Sequence, residues 1–304
     1  MPDPPTIVFG TDHSPWTQAV LLGLTAHGRS FRLQPHPPSL GAFFKMGFVM
    51  PSADFGDGQL IGDSFCILSR VIEGPGRSRE VSIADQGAME RLFLAYALDR
   101  VGPGRWTRFV QGWARKRDVP QRPTSIALRA LLCWYFFILI ALARIALRRR
   151  GLQAGDGPWI RKQLDRWNAR LGTQPFLHGQ QPGVSDYGLL GQMECMASGL
   201  TDWTLPLVNA RPHLVAWLSR MHARVEGHSV VHSRRVFDVN DGPERASRRE
   251  VRWFYLWFWG WLILTPITAL VLAYAFVARG WNPNRSGERI RANVSASTQP
   301  NQRN

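Results

Sequence analysis

The feature that most limits what this chain can fold into is a run of 25 residues, Phe254 to Ala278, without a charged side chain. About 20 apolar residues are enough to cross the hydrocarbon core of a bilayer. Tryptophans crowd the first half of the run, and Tyr274 and Trp281 lie near its end, as in the aromatic belts of membrane proteins. The run therefore predicts one transmembrane helix over residues 253–279, followed by a disordered polar tail over 280–304.

The charge of the chain points to the same environment. Its 37 basic and 22 acidic residues give a net charge of +15. A basic surface suits either nucleic acid or anionic lipid, and only the placement of the charge separates the two. Because the arginines flank apolar segments and the sequence carries no nucleic-acid-binding motif, we expect membrane lipid as a partner and no nucleic acid. The arginine clusters lie within 148–150, 245–252 and 279–291.

A second apolar stretch, residues 126–147, admits more than one interpretation. Its uncharged part is limited to 14 residues by Arg129 and Arg144. That length is marginal for crossing a bilayer and is typical of a buried core helix or of a helix at the membrane surface. We interpret the stretch as a long helix of the helical part of the chain and leave its contact with lipid open.

Other features narrow the classes of function. The three cysteines show neither metal-ligand nor disulfide spacing, and the eight histidines are dispersed, so no metal site is expected. The N-terminal Met-Pro-Asp-Pro-Pro lacks the basic start and apolar run of a secretory signal. The globular part is therefore expected in the cytoplasm, held by a single-pass C-terminal anchor.

The first 78 residues alternate strand and helix signals. The β-branched and aromatic run from Thr6 to Phe9 predicts a strand, and Ser14-Pro15 supplies the N-cap and first position of a helix. A hairpin at Asp57-Gly58 and a helix capped by Asp63-Ser64 follow. These signals predict a mixed α/β unit.

The rest of the chain has a different character. Residues 82–235 carry helical periodicity, and residues 236–252 have turn formers and charges without periodicity, which predicts a linker. The predicted fold class is therefore α+β: a mixed domain over 1–78, an all-helical domain over 82–235, and the C-terminal transmembrane helix.

Several of these pieces, in this order, resemble the glutathione S-transferase superfamily. The resemblance covers residues from about Thr6 to Arg224. It implies a thioredoxin-like N-terminal domain that binds glutathione and an all-α C-terminal domain that supplies the site of the second substrate. The matching motifs are His13-Ser14-Pro15-Trp16-Thr17, Met50-Pro51, Asp63-Ser64, Pro175-Phe176-Leu177-His178-Gly179 and Val184-Ser185-Asp186-Tyr187.

The resemblance assigns Ser14 as the catalytic residue, with His13 beside it in the glutathione site. A hydroxyl at a helix N-terminus can hydrogen-bond the glutathione sulfur, and the positive end of the helix favours thiolate over thiol. Ser14 is equally explained as an ordinary N-cap, and His13 as a solvated loop residue. Residues 14–17 contain no cysteine, which excludes dithiol exchange at this position.

Four further residues complete the glutathione site that the resemblance implies. Pro51 corresponds to a cis-proline, and Met50 before it offers backbone groups to the cysteinyl part of glutathione. Asp63 and Ser64 hold the γ-glutamyl end, with the carboxylate accepting from the ammonium group and the hydroxyl donating to the α-carboxylate. The competing interpretations are a turn proline and a plain helix cap.

In the helical domain, Asp186 resembles the buried capping aspartate of the family, which is a structural role. The usual hydroxyl partner three residues earlier is replaced here by Gly183, and Ser185 is a candidate substitute.

The sequence thus predicts a membrane-anchored glutathione transferase-like protein that conjugates glutathione to a hydrophobic electrophile or removes it. Glutathione is expected as a co-substrate and no bound cofactor is expected, while a homodimer is compatible with the resemblance. The alternative is a non-catalytic adaptor of the same fold that mediates protein contacts at a membrane, which the long apolar insertion at 126–147 favours.

Overall fold

The computed structural model describes the chain over most of the predicted strands and helices. His13, the proline-rich stretch 35–49 and the predicted tail 280–304 lie outside the described residues. The described residues are 5–10, 14–34, 50–73, 83–97, 126–127, 129–131, 133–134, 145, 157–197, 204–225, 247–264, 266–267, 269–271 and 274.

Four strands form one mixed sheet in the first part of the chain: β1 Thr6–Phe9, β2 Phe31–Gln34, β3 Ser52–Asp54 and β4 Leu60–Gly62. Their order across the sheet is β2-β1-β3-β4. The pair β1 and β2 is parallel, and the pairs β1 with β3 and β3 with β4 are antiparallel. A parallel pair needs a crossover, which a helix provides here, whereas β3 and β4 form the hairpin predicted at Asp57-Gly58.

Helices surround the sheet and make up the rest of the described chain. The order strand, helix, strand, hairpin, helix is the thioredoxin-like arrangement, so the predicted α+β class is confirmed. The helices are α1 Pro15–Ala26, α2 Ser64–Glu73, α3 Ile83–Ala97, α4 Gly157–Leu171, α5 Val184–Met196, α6 Leu205–Asn209, α7 Pro212–Val225 and α8 Arg248–Ile263.

The sheet and the helices α1 to α7 share one hydrophobic core. Helix α1 packs most extensively against α5. The two backbones approach closely because Gly191 has no side chain: a Cβ atom there would lie 2.7 Å from the backbone nitrogen of Ala19. The core includes Val8, Leu21, Leu24, Phe65, Leu92, Leu164, Tyr187, Leu190 and Trp217.

The C-terminal region differs from the prediction in two respects. Among the described residues, no helix has both the length and the hydropathy needed to cross a membrane. The transmembrane helix predicted over 253–279 is therefore not supported, and residues 265, 268, 272–273 and 275–279 of it lie outside the described ranges. The helix in this region, α8, begins at Arg248, inside the predicted linker.

The early start of α8 has a local cause. The hydroxyl of Ser247 accepts a hydrogen bond from Glu250 N at 3.2 Å, and the Glu250 carboxylate accepts one from Ser247 N at 2.6 Å. This reciprocal capping box begins the helix at Arg248, four residues before the end of the predicted linker at 252.

Candidate functional site

Four of the residues predicted to bind glutathione, Met50, Pro51, Asp63 and Ser64, lie at one edge of the sheet. The pairing register places Phe9 of β1 opposite Ser52 of β3, and Ser52 opposite Gly62 of β4. Neighbouring strands lie about 4.8 Å apart. The residues next in the chain, Gly10 after β1, Pro51 before β3 and Asp63 after β4, therefore follow the ends of three adjacent strands at this edge. We call this region the sheet edge.

Ser14 caps α1, and the first turn of this helix lies at the sheet edge, because the Thr17 side chain lies against Gly10. Its hydroxyl oxygen accepts a hydrogen bond from Thr17 N at 3.4 Å, and Pro15 occupies the first turn of the helix. Ser14 is 9% exposed. No described residue accepts a hydrogen bond from its hydroxyl. A hydroxyl donor is thus available at the positive end of a helix of 12 residues.

The second element of the sheet edge is the Met50–Pro51 dipeptide, whose peptide bond is cis. Pro51 is buried and Met50 is half-buried. Because Pro51 directly precedes β3, the backbone of Met50 extends past the last paired residue, Ser52. Backbone groups at such a position are open to pair with an extended peptide ligand.

The third element is the turn from β4 into α2. Asp63 has a φ angle of +76°, in the left-handed region, and its Oδ1 accepts a hydrogen bond from Phe65 N at 2.8 Å. Ser64 is buried at the first position of α2. Non-glycine residues with this backbone conformation are strained, and such strain clusters at ligand sites. A second helix N-terminus therefore faces the sheet edge, one strand away from Pro51.

Acidic groups dominate the electrostatics around α2. Burial raises the pKa of Asp63. Burial, followed by the negative charge of Asp63, also raises the pKa of Glu90 on α3 and raises the pKa of the Cys66 thiol to about 12. A cationic ligand group between Asp63 and Glu90 would relieve this repulsion. The sequence motifs did not indicate Glu90, because it sits mid-helix with no local signal.

A separate polar cluster joins α3 to α4 and α5. His178 Nε2 lies 2.9 Å from Asp85 Oδ2 and 3.1 Å from Ser185 Oγ. Arg170 NH2 lies 3.1 Å from His178 Nδ1, and since a guanidinium can only donate, that nitrogen is the acceptor and Nε2 carries the proton. Both Ser185 and Asp85 contact the same ring nitrogen, so the histidine cannot pass a proton between them. The cluster is not a hydrolytic triad.

Asp186 is fully buried at the start of α5. Its Oδ1 accepts from Leu177 N at 2.9 Å and from Trp217 Nε1 at 2.8 Å, and its Oδ2 accepts from Gly183 N at 3.0 Å. Burial raises the pKa of this carboxyl, and the three hydrogen bonds oppose that effect. The Ser185 hydroxyl, a candidate capping partner in the sequence, contacts His178.

The comparisons with known proteins give solved structures only. No protein-family model matches the sequence, and no curated protein matches it. A glutathione S-transferase III in apo form is 17% identical over 75% of this chain and 98% of that chain, with a TM-score of 0.42. A delta-class glutathione transferase of Nilaparvata lugens is 12% identical over 83% of this chain and 100% of that chain, with a TM-score of 0.41.

A third similar structure is glutathione S-transferase-I bound with the ligand lactoylglutathione. It is 15% identical over 73% of this chain and 99% of that chain, with a TM-score of 0.40.

Proposed function

We propose that the sheet edge binds glutathione and that Ser14 stabilises its thiolate for attack on an electrophile. The observation that carries this proposal is the convergence of three separate chain segments, at Ser14, Met50-Pro51 and Asp63-Ser64, on the ends of adjacent strands. Two of the segments begin helices, so positive helix ends and free donors face the same region.

Each segment suits one part of the tripeptide. The hydroxyl and N–H of Ser64 donate to the α-carboxylate of the γ-glutamyl group, and the carboxylates of Asp63 and Glu90 accept from its ammonium group. The extended backbone at Met50 pairs with the cysteinyl residue. The thiol then lies at the start of α1, where Ser14 donates to sulfur.

The chemistry follows from the charge at sulfur. The thiolate uses its electron pair to form a carbon–sulfur bond, and a leaving group departs with the electron pair of the broken bond. Removal of glutathione from a conjugate is the reverse displacement: a nucleophile forms a bond to the carbon, and the carbon–sulfur bond breaks with its electron pair leaving on the glutathione thiolate. We propose a hydrophobic electrophile as the second substrate and attachment of the chain to membrane lipid, supported by the exposed apolar side chains that follow Arg252.

Replacing Ser14 with alanine is expected to raise the pKa of the bound glutathione thiol by about 1–2 units, because a hydrogen bond to a charged group contributes about 1.5–3 kcal/mol. The measurement is the ultraviolet absorbance of the thiolate as pH is varied, with saturating glutathione and the full-length protein. A Ser219→Ala variant is the matched control, since the Ser219 hydroxyl is exposed on α7 and, among the described residues, bonds only the Val215 carbonyl of its own helix. A wild-type thiol that titrates like free glutathione would contradict the proposed role of Ser14.

A further inference from the structure

Helix α8 has an unusual distribution of apolar side chains. Only Phe254 and Phe258 are buried in it. Ile263 is 80% exposed and, beyond the end of α8, Leu270 is 72% exposed. Large exposed apolar patches mark interaction sites, whereas single exposed residues do not. The exposed set, which we call the apolar face, is Trp253, Leu256, Trp257, Trp259, Leu262, Ile263, Leu264, Ile267, Leu270, Val271 and Tyr274.

The buried side of α8 packs against the second apolar stretch. Trp134 and Phe258 meet edge to face with ring centroids 5.3 Å apart, and Trp261 Nε1 donates to the carbonyl oxygen of Ala127 at 3.0 Å. Ala127 contacts Trp261, and Trp134, further along the chain, contacts Phe258, which precedes Trp261. The two segments therefore run antiparallel. The described residues between 126 and 134 are helical.

The buried apolar residues of these two segments are not part of the core shared by the sheet and the other helices. They are Ile126, Ala130 and Cys133 in one segment and Phe254 and Phe258 in α8. The stretch predicted to be part of the helical domain therefore contacts α8 through its described residues.

Charge is confined to one end of α8. Arg248, Arg249 and Arg252 are exposed in its first turns, while Glu250 is engaged in the capping box with Ser247. From Trp253 to Tyr274 the sequence has no charged residue. Along the chain, exposed tryptophans lie between the arginines and the exposed aliphatic residues. A lipid-bound helix shows the same order, with arginines at the phosphates, tryptophans at the interface and aliphatic residues among the acyl chains.

We propose that residues 126–134 and α8 form an antiparallel helix pair that binds an anionic lipid surface. The apolar face inserts among the acyl chains, the arginines contact lipid phosphates, and the described residues of the stretch 126–147 belong to the lipid-binding unit. The inference extends the lipid partner of the proposed function and does not depend on glutathione binding. Ile145, which is helical and 51% exposed, is the described apolar residue of this stretch that would share the lipid contact.

The lipid contact is tested by flotation of the full-length protein with vesicles of phosphatidylcholine, with and without phosphatidylglycerol. Wild type is expected to float with both and more strongly with the anionic vesicles at low salt. An Ile263→Asp, Leu270→Asp variant should lose about tenfold or more in partitioning, because two exposed apolar side chains become charged. Val215→Asp, at an apolar position 37% exposed on α7, is the control and should float like wild type. A wild type that stays unbound would overturn the lipid contact.

A separate variant, Ile145→Asp, tests whether the stretch 126–147 contacts lipid. Ile145→Asp should reduce partitioning about threefold or more if this stretch touches lipid. Unchanged flotation of Ile145→Asp, together with loss in the Ile263→Asp, Leu270→Asp variant, would restrict the surface to α8 and contradict the proposal.

The helix pair itself is tested at Cys133, which is fully buried and precedes Trp134, the residue that contacts Phe258. Maleimide labelling, assigned by peptide mass, should be slow at Cys133 in the vesicle-bound wild type and faster in Phe258→Ala. Labelling of wild-type Cys133 as fast as in the denatured chain would refute the pair. If a second copy of the chain covered the apolar face instead of lipid, the lipid-free wild type would be a dimer in light scattering and would not float with vesicles. The Ile263→Asp, Leu270→Asp variant would then be a monomer.

Discussion

Replacing Asp186 with alanine is expected to lower the free energy of unfolding by about 3–5 kcal/mol, since it leaves buried donors without an acceptor. The donors are the backbone N–H groups of Leu177 and Gly183 and the indole N–H of Trp217. They belong to a loop, a helix start and α7, so one side chain ties three segments together. Denaturant unfolding of the full-length protein measures the change.

Two further variants make this result specific. Asp186→Asn retains one oxygen for Leu177 and Trp217 but turns an amide donor toward Gly183 N–H, so we expect a smaller loss of about 1–3 kcal/mol. Asp165→Ala removes an exposed carboxylate that lies 2.8 Å from Arg211 and should cost less than about 1 kcal/mol. Equal stability of the Asp186→Ala and Asp165→Ala variants would refute the structural role of Asp186.

Gly191→Ala is expected to lower the free energy of unfolding by about 2–3 kcal/mol, a typical cost of overpacking a core. The added Cβ would lie 2.7 Å from Ala19 N and 2.9 Å from Ala19 Cβ, and it would also collide with the carbonyl oxygen of Pro15. Two of these neighbours are backbone atoms, so α1 must shift as a unit. Because α1 carries Ser14 at its start, glutathione affinity should fall in the same variant.

Gly87→Ala is the matched control for this substitution. Gly87 also lies in a helix, α3, but a Cβ there meets no atom within 4 Å. Alanine should therefore raise the free energy of unfolding by about 0.5–1 kcal/mol through its better helix propensity. A Gly191→Ala protein as stable as Gly87→Ala would show that α1 and α5 are not in such close contact.

Local signals in the sequence predicted the helix starts and the hairpin that form the sheet edge. Ser14-Pro15 and Asp63-Ser64 combine capping oxygens with helix starts, and both helices begin where those signals lie. Asp57-Gly58 marks the hairpin between β3 and β4 because it allows a tight turn. The capping box of Ser247 and Glu250 was an equally local signal, but it lay within a charged stretch interpreted as a linker.

Long-range neighbours could not be predicted in the same way. The approach of Glu90 to Asp63 and of His178 to Asp85 depends on how α3 packs against α4 and α5, which no local pattern encodes. The contact of Trp134 with Phe258 joins positions that are more than a hundred residues apart. Apolar length suggested a membrane span for the C-terminal run and a helix of the helical domain for 126–147. Only the structure shows that described residues of the two stretches pack together.

Calorimetric titration of glutathione into the full-length protein tests the central claim most directly, with wild type compared with a Ser14→Ala, Asp63→Ala double variant and with Asp165→Ala. We predict saturable binding by wild type and Asp165→Ala, and affinity about tenfold or more weaker in the double variant, as expected when hydrogen bonds to charged groups are lost. Wild-type affinity should also fall as pH is lowered through the raised pKa values of Asp63 and Glu90, because only the ionised carboxylates hold the ammonium group. Absence of binding by folded wild type, or equal binding by the double variant, would contradict a glutathione site at the sheet edge.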